Sequence, residues 1–329
     1  MKTILNRLIN HEVLDKQEAK NVLINISKGN YNSNQIASFL TVYMMRTVTI
    51  EELEGFRDAL LEMCVRIDLS DFNTIDLCGT GGDGKDTFNI STLSAFVVAG
   101  AEIKVAKHGN YGVSSISGSS NVLEMLGVKF SSNNEQLKRS LDHAGICVMH
   151  APLFHPALKN VGQIRKDLAI KTFFNMLGPM VNPSFPKNQL VGVFNLEIAR
   201  MYAYLYQNSE VNFAILHSMD GYDEISLTGP TKIIKNNQEG IFEPAHFGLS
   251  VLNQNAIKGG NTVDESAKIF YDIISGNGTQ AQQDVVCANA AIAIATVENC
   301  TEQEGFERAR RSLLSGNAKK SLERLIEMN

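Results

Sequence analysis

The chain has 329 residues, 44% of them apolar and 20% charged, with a formal net charge of -5. That length suits two domains, and the composition excludes a disordered chain. The charge forms no long acidic or basic run, which excludes nucleic acid and a membrane surface as partners and leaves a small ligand.

The N-terminal stretch MKTILNRLINHEVLDKQ lacks the unbroken apolar core and small-residue cleavage site of a signal peptide. Five cysteines, Cys64, Cys78, Cys147, Cys287 and Cys300, are widely spaced and form no C-x-x-C pair. Reduced thiols in a cytoplasmic protein are therefore expected, without zinc. Residues 1–66 carry helical periodicity. Asp15 with Glu18, and Thr49 with Glu52, fit capping boxes. Ile36, Phe39, Leu40 and Tyr43 share one helical face, and Leu53, Phe56, Leu60 and Leu61 share the next. The prediction is a small all-helical domain packed as a bundle or a dimer face.

From about residue 73, short apolar runs alternate with helices, which predicts an α/β domain with a mainly parallel sheet. The expected strands are 74–77, 103–106, 146–149, 190–194 and 211–216. Ligands of open α/β sheets collect outside the carboxyl ends of the strands. Between Pro152 and Pro186 a proline-punctuated segment has a helical middle, 161–174, that does not read as a strand crossover. It is expected to rejoin the helical domain over about 161–180, leaving 73–160 and 186–329 as the large domain. The longest apolar stretch, 285–297, is too short to span a bilayer and predicts a buried helix. No internal repeat or low-complexity tract is present.

The first predicted strand runs into GTGGDGKDTFNIST over 79–92 and then into a helix. Glycines let backbone N–H groups approach an oxyanion, and the helix N-terminus adds donors and positive dipole. Asn89, Ser91 and Thr92 offer more donors. Two familiar motifs nearly match. Gly79, Gly81 and Gly84 satisfy G-x-G-x-x-G, but the next strand ends in Lys107-His108 where a dinucleotide fold needs an acid. Residues 79–85 satisfy G-x-x-x-x-G-K, but Asp86 stands where a P-loop needs Ser or Thr. A ligand-free turn is the plain alternative, against which stands a cost of about 1 kcal/mol for each glycine.

A second loop, KHGNYGVSSISGSSN over 107–121, again faces a helix start. Lys107 supplies a point charge, and Ser114, Ser115 and Ser119 supply hydroxyls. A serine-rich surface loop is the plain alternative. Two cradles at adjacent strand ends tell against it.

GTGGDGKDTFNIST, KHGN…SSISGSS, RKDLAIKTFFNMLGPMVNP and HSMDGYDEIS occur in this order. On these motifs the chain resembles the anthranilate phosphoribosyltransferase family, from about residue 5 to near the C-terminus. The resemblance implies a homodimer joined through the helical domain and the transfer of a phosphoribosyl group from phosphoribosyl pyrophosphate to anthranilate, with Mg2+. It assigns Gly79, Gly82, Asp83, Thr87, Asn89, Ile90, Ser91 and Thr92 to phosphoribosyl pyrophosphate. It adds Lys107, His108, Gly109, Asn110, Tyr111, Gly112, Val113, Ser114, Ser115 and Ser119. Ser91, Asp223 and Glu224 would hold magnesium. Gly79, Asn110 and Arg165 would meet anthranilate, and His108 and Pro179 would wall its tunnel. Lys107, Arg165, Asp223 and Glu224 would carry catalysis, while His150, His155 and His217 would be structural or line the tunnel. Asp83 would meet a ribose hydroxyl or the magnesium shell.

Three positions depart from the family pattern: Tyr111 and Lys171 replace arginines, and Asn121 replaces an aspartate. Tyr111 is expected to bear on substrate contacts, because a ring stacks where a guanidinium would pair. The expected reaction displaces pyrophosphate at the anomeric carbon. An aryl amine is neutral at pH 7, so no strong general base is required. A pyrimidine nucleoside phosphorylase of the same fold is the rival enzyme, and Arg165 with LGPMVNP argues against it. A non-enzymatic nucleic-acid-binding relative would need a basic stripe and would lose the acidic pair.

Overall fold

The computed structural model describes residues 1–112, 116–169, 171–236 and 238–328. Helices α1 (Lys2–Ile9), α2 (Lys16–Ser27), α3 (Ser33–Met45) and α4 (Ile50–Met63) open the chain. There follow β1 (Thr74–Gly79), α5 (Ile90–Gly100), β2 (Lys104–Gly109), α6 (Ser119–Met125), α7 (Asn134–Ala144) and β3 (Ile146–His150). Three helices, α8 (Ala151–Phe154), α9 (Lys159–Leu168) and α10 (Phe174–Leu177), come next. The rest is β4 (Asn188–Gly192), α11 (Leu196–Gln207), β5 (Asn212–Ser218), β6 (Thr231–Lys235), β7 (Glu239–Phe242), α12 (Val263–Ile274), α13 (Gln280–Glu298), α14 (Glu302–Leu314) and α15 (Asn317–Glu327). Two compact units result: Met1–Arg66 with Ala151–Pro183, and Ile67–His150 with Ser184–Asn329. The second excursion into the helical unit thus starts at 151, ten residues before the helical stretch that marks it in the sequence.

The first unit is all-helical. Its capping boxes at Asp15 and Thr49 form, and a third forms at Asn32 with Gln35. Phe39, Tyr43 and Phe56 pack with Phe173, whose ring stacks on Phe56 at 4.4 Å. Leu61 lies at the edge of this core, half-buried. Buried Glu52 accepts hydrogen bonds from Leu14 N–H at 3.0 Å and Tyr43 O–H at 2.8 Å and pairs with Arg46. A buried carboxylate needs such partners. The single helix expected over 161–174 is corrected: α9 stops at Leu168, where Ala169 turns left-handed at φ 53°. That residue ends the helix as a left-handed cap does. The chain then delivers Phe173 into the aromatic cluster before α10 begins.

In the second unit the described residues form a seven-stranded sheet ordered β3-β2-β1-β4-β5-β6-β7. The first five in that order run parallel, while β6 and β7 are antiparallel additions absent from the sequence reading. The order reverses at β1, which lies between β2 and β4, so the switch-point crevice falls at its carboxyl end. Helix α13 is the buried helix expected over 285–297, with Val285 through Ala295 inaccessible and set in the main core. The strands begin or end one to three residues away from their predicted limits, and two of those shifts move site residues.

Candidate functional site

Three segments leave the carboxyl ends of parallel strands: the glycine loop after β1, the serine loop after β2, and, beyond β4, the acidic pair Asp223-Glu224 after β5. A tight turn aims the pair. Gly221, at φ 97°, donates its N–H to Ser218 O at 2.8 Å, and Ser218 N–H donates to Tyr222 O at 3.1 Å. Ser218 Oγ–H donates to Glu224 O at 2.6 Å. Below the pair, Asn289 of α13 accepts from Ile225 N–H at 3.0 Å and donates to Ile225 O at 2.9 Å. Sequence reasoning missed Asn289 and Ser218. The available signal was an amide inside the otherwise apolar run 285–295.

The glycine loop closes around Asp223. A Cβ on Gly79 would stand 2.3 Å from Asp223 Oδ2, and one on Gly192 would stand 1.4 Å from Asp223 O. Gly79 is therefore glycine to admit a protein carboxylate. Gly81 N–H donates to that same Oδ2 at 2.8 Å, and Ser91 N–H donates to Glu224 Oε1 at 2.9 Å. One oxygen of each carboxylate is thus fixed by backbone. Gly81, Gly82 and Gly84 all have positive φ, between 63° and 78°, as a nest of converging N–H groups requires. Asp83 Oδ1 accepts from Lys85 N–H at 3.0 Å. Thr87 is held by a backbone bridge to Lys258. Ser91 and Thr92 lie in the first turn of α5. Ile90 faces the core, and its N–H is taken by Phe88 O at 2.6 Å, so it brings no donor to the crevice.

The serine loop is shorter than its sequence suggested. Lys107, His108 and Gly109 lie in β2 and Ser119 opens α6, so the loop proper starts at Asn110. Lys107 is 2% exposed, and its ammonium donates to Leu77 O at 2.6 Å. The point charge read from the sequence thus lies within β2, already hydrogen-bonded to the end of β1. His108 N–H donates to Asp76 Oδ1 at 3.1 Å. Asn110 O accepts from Ser120 N–H at 3.1 Å and from Ser119 Oγ–H at 3.3 Å. Asn121 Oδ1 accepts from both Gly112 N–H and Gly118 N–H at 3.0 Å, which explains its place in the motif. Tyr111 packs edge-to-face on His150 at 4.6 Å, with its hydroxyl 3.3 Å from Glu124 Oε2. The residue nonetheless stays 39% exposed. Val113, Ser114 and Ser115 lie outside the described residues. Asn89 joins the two loops through Nδ2–H to Ser117 O at 3.1 Å.

Burial, reinforced by the charge of Asp83, pushes the Asp223 carboxyl up to about 7. Burial and Asp223 raise Glu224 well above the usual carboxylate range. Glu224 Oε2 is buried without a hydrogen-bond partner. Two crowded carboxylates with an unsatisfied oxygen suit a divalent cation, which would remove both penalties. Among the described residues, no three His, Cys, Asp or Glu side chains converge as a metal cage. The residues present therefore fit magnesium, which binds through one or two carboxylates and takes its other oxygens from phosphate and water.

Arg165 and Pro179 belong to the first unit. Arg165 is half-buried, and burial lowers its pKa. It donates to Asn175 Oδ1 at 3.3 Å, lies 5.3 Å from the Phe174 ring centroid, and keeps a buried Nε without a partner. It makes no ion pair among the described residues. Such a guanidinium suits a carboxylate ligand. Pro179 is buried in the turn Gly178–Met180. His150 accepts or donates a 2.8 Å bond with Ser120 Oγ, His155 bonds Val181 O, and His217 bonds Val193 O.

A model of the glycosyl transferase family's a/b domain matches residues 71–319, and one of its helical bundle domain matches 2–64. An anthranilate phosphoribosyltransferase of Flavobacterium johnsoniae is 72% identical over the full length of both chains. That of Flavobacterium psychrophilum is 69% identical over the full length of both. The crystal structure of the anthranilate phosphoribosyltransferase from Thermus thermophilus matches with a TM-score of 0.91 and 30% identity, covering 98% of each chain. The Saccharomyces cerevisiae enzyme, in complex with PRPP and Mg, matches at 0.90 with 27% identity, covering 98% of this chain and 96% of that one.

Proposed function

The chain belongs to the anthranilate phosphoribosyltransferase family, and from that premise we propose how its residues divide the work. It is a pentosyltransferase: it transfers the phosphoribosyl group of phosphoribosyl pyrophosphate to the amine of anthranilate, releasing pyrophosphate in tryptophan biosynthesis. The observation that carries the residue assignment is the hold of the glycine loop and the start of α5 on the carboxylate pair, with the serine loop tied to them through Asn89.

The diphosphate lies against the nest of Gly82 to Gly84 and the first turn of α5, where Ser91 and Thr92 add hydroxyls. The serine loop, from Asn110 to Ser119, takes the rest of the phosphoribosyl pyrophosphate. Asp223, Glu224 and the Ser91 hydroxyl would hold magnesium, which when bound neutralises charge on the departing diphosphate. Lys107 acts from within β2: its buried positive charge favours the Glu224 carboxylate, and its ammonium donates to the Leu77 carbonyl. Arg165 pairs with the anthranilate carboxylate through its planar fork. Pro179 and His108 are each assigned to the aromatic ring of anthranilate. The amine is already neutral and nucleophilic, so the protein's task is orientation and leaving-group stabilisation.

A homodimer formed through the helical unit completes the proposal. Ile9, Val13, Met44 and Met45 are 61%, 50%, 40% and 83% exposed there, which supports a buried partner face. Its place is the cytoplasm, in keeping with five free thiols. No helix among the described residues is long and apolar enough to cross a membrane.

The test pairs two substrate sets with one protein preparation. With phosphoribosyl pyrophosphate, anthranilate and magnesium, pyrophosphate appears one for one with anthranilate consumed. Pyrimidine nucleosides with phosphate give no free base. Phosphorolysis of the nucleoside without consumption of anthranilate would overturn the proposal in favour of the rival enzyme.

A further inference from the structure

Lys85 completes the near P-loop pattern G-x-x-x-x-G-K, yet neither the phosphate cradle nor the acidic pair uses it. Its ammonium lies 4.6 Å from the centroid of the Tyr222 ring. Tyr222 is 5% exposed and directly precedes Asp223. The lysine stem crosses Gly221, with Cε 3.8 Å from where a Cβ on that residue would sit. Although Asp83 and Asp86 flank it, Lys85 forms no ion pair among the described residues. The ring is its electrostatic partner. An ammonium within about 6 Å of a ring face is held by the ring's quadrupole, more strongly where water is excluded.

The glycine loop therefore meets the 221–224 turn at both of its limbs. On the entering limb, Gly81 N–H binds Asp223 Oδ2 at 2.8 Å. On the leaving limb, Lys85 binds the Tyr222 ring. Between them lie Gly82 and Gly84, whose backbones are the least restrained when free. With both limbs held, the nest and the metal-binding pair are assembled before substrate arrives. With one released, substrate binding itself must order the loop, and affinity falls by that amount.

We propose that Lys85 and Tyr222 are positioning residues, a cation–π latch that sets the affinity for phosphoribosyl pyrophosphate without entering the chemistry. The inference rests on the assignment of the glycine loop to that substrate. The latch acts on the free enzyme, so its loss raises KM and leaves kcat, which reports the saturated complex in which the loop is already ordered.

The experiment measures KM and kcat for phosphoribosyl pyrophosphate at saturating anthranilate and magnesium, alongside calorimetric binding of phosphoribosyl pyrophosphate with magnesium alone. Lys85→Met and Tyr222→Leu should each raise KM and the calorimetric Kd about fivefold, or about 1 kcal/mol, with kcat within about twofold of the parent. Lys85→Arg keeps the cation and Tyr222→Phe keeps the ring, so both should retain the parent KM. The double variant Lys85→Met/Tyr222→Leu should be no worse than the worse single, because one contact is lost in all three. An unchanged KM and Kd in Lys85→Met, or multiplied effects in the double variant, would overturn the latch. A parent protein that binds phosphoribosyl pyrophosphate but transfers nothing would sink the functional reading while leaving the calorimetric test of the latch intact.

Discussion

Gly79→Ala isolates the reason for the first glycine of the loop. The added methyl would lie 2.3 Å from Asp223 Oδ2 and 3.0 Å from its Cγ, so the carboxylate must move by about 1 Å, judged against ordinary carbon–oxygen contact, and release Gly81 N–H. Losing a hydrogen bond to a charged group costs about 1.5–3 kcal/mol, and overpacking adds about 1–3. Against this, Ala at a compatible backbone position gains about 0.4–1 kcal/mol through the unfolded chain. The net expectation is a loss of about 1.5–5.5 kcal/mol, read from urea unfolding followed by far-ultraviolet circular dichroism. In an Asp223→Ala background the nearest remaining neighbour of the new methyl is Asp223's backbone oxygen at 3.6 Å, an ordinary contact. There Gly79→Ala should be neutral or slightly stabilising. The coupling between the two positions is then about 2.5–6 kcal/mol. Additive losses, with coupling below about 0.5 kcal/mol, would refute the idea that Gly79 makes room for the carboxylate.

Arg165→Lys keeps the charge and loses the planar fork, so KM for anthranilate should rise about tenfold while KM for phosphoribosyl pyrophosphate stays put; equal rises in both would contradict the assignment of Arg165 to anthranilate. Asp223→Asn combined with Glu224→Gln should raise the magnesium concentration for half-maximal turnover by at least about tenfold, and an unshifted magnesium titration would remove the pair from the metal. Stability should also depend on His155, which is 3% exposed and whose pKa burial lowers from 6.5 to about 4. Between those values the unfolded chain binds the proton and the folded chain does not, so stability falls as pH drops from about 6.5 towards 4, by at most about 3 kcal/mol. Thermal melts of His155→Gln should show a flatter slope across that window; an unchanged slope would place the acid sensitivity elsewhere.

The two cradles were legible because glycine, serine and asparagine crowd the ends of apolar runs only where turns or ligands need them. Asp223-Glu224 was legible from its company. What stayed hidden depended on backbone pairing or on contacts distant in sequence. Lys107 and His108 read as loop residues because they are polar, yet β2 pairs with β3 through Gly109↔His150 and holds them in the strand. Ser91 and Thr92 read as loop donors, while α5 begins at Ile90. Gly79 reads as a glycine placed for a phosphate, and its neighbour is a carboxylate 144 positions later in the chain, at Asp223. Strands β6 and β7 are short, five and four residues, so their sequences carry little apolar alternation. Asn121 stands where the family pattern has an aspartate, and its carbonyl oxygen closes the serine loop locally at two N–H groups. The same locality limits explain Tyr111, whose partners His150 and Glu124 come from β3 and α6.

Anthranilate fluorescence tests the central claim most directly. Purified protein with phosphoribosyl pyrophosphate and magnesium should extinguish the signal at a rate proportional to protein, and chelating the magnesium should stop the decay while readdition restores it. A signal that persists undiminished with all three present would contradict the account.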